Sequence, residues 1–135
     1  MQKGEYPITE ATPGGSLAIE TELDPSLTKA DALSGGVASI ENVLPEITET
    51  INMKFTLFEE VFGTGKHEPV QNLRPNEMLM LSLNTSITVG QVTKINKDQV
   101  ELKLKIPVVP LKGESIGIAR NLNSHWRLIG FGSII

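Results

Sequence analysis

The residues best equipped for chemistry in this 135-residue chain cluster in a few short segments. Phe62-Gly63-Thr64-Gly65-Lys66-His67 has the glycines and lysine of a phosphate-binding loop. That loop requires G-x-x-x-x-G-K-[ST], with the last hydroxyl on magnesium. Here the glycines are too close together and His67 follows the lysine, so the segment reads as a loop between strands. The two histidines, His67 and His125, lack HxxxH or HExxH spacing and there is no cysteine, which argues against a metal site. No G-x-S-x-G elbow occurs, and the acids of residues 1–65 show no paired spacing for general acid–base work. Nothing in these patterns marks autonomous catalysis. In His125-Trp126-Arg127 the lone tryptophan starts a strand. It reads as a core or rim anchor, with Arg127 on the opposite face. The alternative is contact with another domain or with a nucleic-acid backbone, where Arg127 reaches a phosphate.

The elements that must carry these residues are mostly strands. In 99–106, Val100, Leu102, Leu104 and Ile106 alternate with Gln99, Glu101, Lys103 and Lys105, which puts four apolar side chains on one face. Residues 86–96 are rich in β-branched types, and Asn96-Lys97-Asp98 supplies a turn, so the two runs form a hairpin. MLMLSLN (78–84) is apolar enough on both sides to be central. ITETINMKF (47–55) alternates through Ile47, Ile51, Met53 and Phe55. SIGIAR (115–120) and WRLIGFGSII (126–135) complete the set. Gly130 and Gly132 in the last run signal a bulge or a close backbone approach. About six strands joined by short turns point to an antiparallel barrel or sandwich. The exception is DPSLTKADALSGG (24–36): Asp24 is an N-cap, Pro25 suits the first helical position, and Gly35-Gly36 ends the turn. Strands are expected on either side of it, at 16–20 and 36–40.

Composition bounds the rest. Hydrophobic residues make up 39% and charged residues 21%, a globular balance. No apolar run approaches the ~20 residues of a membrane span. Absence of cysteine removes disulfides, iron–sulfur ligation and thiol catalysis, and fits a cytoplasmic setting. The formal charge of −4 hides an asymmetry. Residues 1–65 hold three basic and eleven acidic groups, a net of −8, whereas residues 66–135 hold nine basic and five acidic, a net of +4. Either both signs simply face solvent, or the halves belong to units with different neighbours. A boundary falls at Glu41–Pro45. Residues 45–135 hold a self-sufficient strand inventory, while residues 1–44 hold two strands that cannot bury their own apolar faces.

Three segments, PGGSLAIETELDPSLTKADALSGGVAS (13–39), NEMLMLSLNTSITVGQV (76–92) and HWRLIGFGSI (125–134), resemble the C-terminal part of the gamma subunit of translation initiation factor 2, in its archaeal form more than its eukaryotic one. The resemblance implies an all-β fold. An antiparallel six-stranded β-barrel over 45–135 would be preceded, over 1–44, by the remnant of a second β-barrel domain. It implies a non-enzymatic portion of a cytoplasmic GTPase that delivers initiator methionyl-tRNA to the small ribosomal subunit. GTP and magnesium would bind only in a G domain outside this sequence, leaving no cofactor or metal here. The implied partners are initiator tRNA, the alpha and beta subunits, the small ribosomal subunit and that G domain. Lys29 and Asp31 fall where charged residues of the family's corresponding turn occur, near the aminoacylated tRNA end. With Arg127 they are the tRNA-binding candidates. Two other readings stand beside this one: a partner-docking barrel with no RNA contact, and the barrels of another translational GTPase such as a selenocysteine-specific elongation factor.

Overall fold

The computed structural model describes residues 1–63, 65 and 67–135. The chain forms two compact units, Met1–Leu33 and Ser34–Ile135. Thr64 and Lys66 of the expected 62–67 loop lie outside the described residues.

The second unit carries six long strands: β3 (Thr48–Leu57), β4 (Met78–Leu83), β5 (Ser86–Asn96), β6 (Gln99–Val108), β7 (Ser115–Leu122) and β8 (His125–Ile134). They close into an antiparallel barrel in the order β3-β6-β5-β4-β7-β8. Closure runs through β3 and β8, where Phe55 pairs Gly132 and Thr56 pairs Phe131. A closed sheet leaves no unpaired edge. The period-two pattern sends Ile51 and Met53 inward from β3, Leu79 and Leu81 from β4, and Val100 and Leu102 from β6, all of them 3% exposed or less. The expected β5–β6 hairpin is present, with Asn96 paired to Gln99 and Lys97 at φ 51° in the turn.

Two residues expected on the apolar face are not in the core: Ile47 is 69% exposed and Ile106 is 57% exposed. Ile47 precedes the first paired residue of β3. Ile106 falls where the β3–β6 register breaks, between the pairs Thr48–Val108 and Thr50–Lys103. On the other side of β6, beyond the last β5–β6 pair of Gly90 with Leu104, the Thr88 hydroxyl of β5 bonds the Ile106 backbone. It accepts from the Ile106 N–H and donates to the Ile106 carbonyl, both at 3.1 Å. Those bonds satisfy an otherwise buried polar group.

Both alternatives for the glycines of β8 are realised. A bulge lies on β8 opposite Ile118 and Ala119, which pair with Gly130 and Leu128 and leave Ile129 without an opposite number. A methyl group at Gly130 would lie 2.3 Å from the Thr56 carbonyl oxygen, and one at Gly132 would lie 2.6 Å from that of Lys54.

The first unit holds a two-residue hairpin, β1 (Gln2–Lys3) with β2 (Tyr6–Pro7), and a short 3₁₀ helix, η1 (Pro25–Thr28). The Asp24 side chain accepts from the Ser26 N–H at 2.8 Å, as an N-cap does. The Ser26 side chain first, and then this backbone bond, hold the Asp24 carboxyl below its ordinary range. The strands expected at 16–20 and 36–40 are absent. Ala18 makes one isolated bridge to Gln2, and residues 36–40 have no ladder. Strand propensity forms no strand without a partner to complete the hydrogen bonds. No residue of Met1–Leu33 is buried.

Candidate functional site

Between β3 and β4 runs a long connection, 58–77, whose described residues bond to β7 and β8. Connections of this length without regular structure are uncommon in compact domains and are usually functional. Among its described residues the paired backbone consists of an isolated bridge, Glu60 with Pro69, and scattered bonds. Phe58 and Phe62 donate to the carbonyls of Ile129 and Leu128 on β8, at 2.9 and 3.1 Å. Val61 and Leu73 are buried in the core cluster and anchor the connection from below.

Arginine side chains fasten it. The Arg120 Nε and Nη2 donate to both oxygens of Glu77, with Nη2 at 3.2 Å. The same guanidinium donates to the carbonyls of Gln71 (2.8 Å) and Asn72 (3.1 Å). Its side chain is 12% exposed and that of Glu77 is 15% exposed. A nearly buried pair of this kind adds little net stability, because desolvation offsets the attraction. Its planar fork fixes geometry instead. Glu77 also accepts from the Arg74 N–H at 3.0 Å, so one carboxylate holds both ends of the 74–77 turn. Arg127 pairs with Arg120 across β7 and β8, and its Nη1 donates to the Gly63 carbonyl at 2.8 Å. The chain's three arginines therefore converge on this connection. A cleft of about 390 Å³ opens beside them, walled by Arg74, Glu77, Arg120 and Glu68, with Leu122 and Met78 as apolar wall.

The sequence-derived candidates sit as follows. Lys29 caps the end of η1 and Asp31 follows at φ 57°, a conformation aspartate tolerates; both are exposed in the first unit. Arg127 belongs to the barrel and is half-buried through its hold on Gly63, so it does not project freely. Trp126 is not a core residue: it keeps 39% of its surface exposed. Leu128 and Phe131, also exposed, share its strand. The two oxygens of Glu60 accept from the His67 Nδ1–H, at 2.8 and 2.9 Å, on the surface. Among the described residues no group of three or more histidine, cysteine or acidic side chains could hold a metal ion. Sequence reasoning passed over Arg74, Glu77 and Arg120. The available signal was a charge closing the apolar run SIGIAR and the turn sequence Arg74-Pro75-Asn76.

Comparison with known proteins bears on the same barrel. The family described as initiation factor eIF2 gamma, C terminal, matches residues 49–134. The chain belongs to this family. The eIF2 gamma relatives extend the likeness toward the N-terminus. The translation initiation factor 2 gamma subunit of Methanococcus maripaludis strain C6 is 44% identical over 132 residues, covering 98% of this chain and 32% of the relative. That of Archaeoglobus fulgidus is 45% identical over 127 residues, 94% of this chain and 30% of the relative. That of Pyrococcus furiosus is 41% identical over 134 residues, 99% and 33%. The chain spans about a third of the length of these eIF2 gamma relatives. No helix among the described residues is long and apolar enough to cross a membrane.

Proposed function

We propose that this chain serves as the barrel portion of an initiation factor 2 gamma subunit, the complete form of which binds GTP and delivers initiator methionyl-tRNA to the small ribosomal subunit. The observation that carries this reading is the family match over nearly the whole of the closed barrel, β3 to β8. In this reading residues 1–44 are the end of a preceding β-barrel domain. The lack of any buried residue in Met1–Leu33 supports it, since such a segment requires another surface to complete a core. Lys29 and Asp31 are the RNA-facing candidates of that part, the lysine as a point charge for a phosphate and the aspartate as an acceptor for sugar or base groups. Arg127 has a structural duty to Gly63, so any phosphate contact would draw on its remaining donors. Nucleotide chemistry belongs to the G domain of the complete factor, together with magnesium, and the alpha and beta subunits are the protein partners.

The test is Lys29→Glu in the complete factor, with initiator tRNA binding measured by filter retention. Weakened binding is expected; unchanged binding overturns the tRNA role of this turn. Calorimetry of the 135-residue chain with GTP should show no binding, and micromolar affinity would overturn the division of labour. A second reading, docking of protein partners without RNA contact, draws on the exposed Trp126, Leu128 and Phe131 of β8. It requires tRNA binding to survive Lys29→Glu while subunit binding fails on Phe131→Glu.

A further inference from the structure

Resting on the RNA reading above, we propose that the cleft between the 71–77 turn and β7 is a subsite for one RNA backbone phosphate, with Arg74 as the residue that touches it. Arg120 is fully engaged by Glu77 and two carbonyls, and Arg127 is anchored on Gly63. Arg74 is different. It is exposed, its Nη2 donates to Gln71 Oε1, and the rest of its guanidinium has no partner among the described residues. A guanidinium with open donors presents the fork that matches phosphate oxygens.

The surroundings are built rather than incidental. The turn carrying Arg74 is held at Glu77 by a charge-assisted bond to the Arg74 N–H and at Gln71 and Asn72 by Arg120. The backbone that carries the cation is therefore fixed before any ligand arrives, which reduces the ordering cost of binding. Glu77 would repel an anion, but its charge is matched by the bidentate contact with Arg120. The amides of Gln71 and Asn121 line the same cleft and suit sugar and phosphate oxygens. Glu68 on the wall carries a negative charge, which confines the subsite to one phosphate and sets a weak, salt-sensitive contact.

The probe is fluorescein-labelled initiator tRNA transcript, titrated with the 135-residue chain across a series of KCl concentrations. Neutralising one phosphate contributes a slope of about −0.7 to −0.9 in log K against log salt. Arg74→Ala is expected to reduce that slope by about one contact and affinity by about tenfold. Arg74→Lys is expected to keep the slope and recover part of the affinity, because the point charge remains while the fork is lost. Wild-type slope and affinity in Arg74→Ala overturn the subsite and leave the wider RNA reading standing. Absence of tRNA binding by the unsubstituted chain even at the lowest salt also overturns the subsite, whereas the RNA reading of the complete factor falls only if Lys29→Glu leaves that factor's tRNA binding unchanged. A glutamate-rich peptide that shifts the Arg74 Nε–H resonance, where tRNA does not, would assign the cleft to an acidic protein segment and overturn the phosphate assignment.

Discussion

Barrel closure can be tested by adding a single methyl group at each of two glycines. At Gly130 the added carbon would meet the Thr56 oxygen at 2.3 Å, the Leu57 Cα at 3.0 Å and the Thr56 carbonyl carbon at 3.2 Å. All three are backbone atoms of β3, so no side chain can swing aside. Ordinary contact distance demands that β3 and β8 separate by about 1 Å, and overpacking of this kind costs about 1–3 kcal/mol. Weakened ladder bonds at the closing seam add about 1 kcal/mol. Gly130→Ala is therefore expected to lose about 3 kcal/mol. At Gly117 the same methyl meets Ser82 Cβ at 3.6 Å and Leu128 Cδ1 at 3.7 Å, ordinary contacts. Gly117→Ala is expected to be neutral or to gain about 0.5 kcal/mol by restricting the unfolded chain. Neither glycine has a positive φ, so backbone strain does not confuse the comparison. Urea unfolding followed by circular dichroism reads the difference. With a slope of about 2 kcal/mol/M, the midpoint of Gly130→Ala should fall by roughly 1.5 M while that of Gly117→Ala holds. Midpoints within about 0.3 M of each other would refute the close β3–β8 seam.

Further outcomes follow from other parts of the molecule. Leu102→Asp places a carboxylate at a fully buried position and should abolish folding, whereas Lys103→Asp on the exposed face should be tolerated; equal tolerance in thermal melts would reverse the face assignment. The Glu101 carboxyl is held below its usual range first by the Thr93 hydroxyl, at 2.8 Å, and then by Lys94. A carboxyl lowered in the folded state lends stability above its unfolded value, near 4.3, and loses it as pH falls through the folded value. Thr93→Val should raise the Glu101 midpoint in an NMR titration, and an unmoved midpoint would remove the hydroxyl as the cause. Gly35 sits at φ 79° with its carbonyl accepting from Ser86 Oγ at 2.8 Å. A methyl there would meet that oxygen at 2.6 Å, so Gly35→Ala should release the segment 34–45 and speed its cleavage by a nonspecific protease. Cleavage at the wild-type rate would show that this contact does not hold the segment.

The strands were legible because a period of two in side-chain polarity is a local property. Val100, Leu102 and Leu104 each face the same way whatever strand lies beside them, and the turn at Asn96-Lys97-Asp98 needs no distant partner. The N-cap of Asp24 is local in the same sense. Where a reading depended on a distant partner, the outcome differed. Residues 16–20 and 36–40 have strand composition but no partner with which to form a ladder, and Ile106 leaves the core because β3 and β6 slip register beside it. The choice of barrel over sandwich rests on β8 meeting β3 across 130 to 57 in sequence, which Gly130 and Gly132 permit by letting two backbones approach. The arginine cleft is the most tertiary feature of all. Glu77 and Arg120 are 43 residues apart, and neither carries a local pattern that names the other. Sequence alone determined the alternation of faces where the ladder is regular, as along Val100, Leu102 and Leu104, but not at the strand ends and register breaks that expose Ile47 and Ile106. Only the closed fold decided which charged groups share a site, because ion pairs are set by distance in space and not by spacing along the chain.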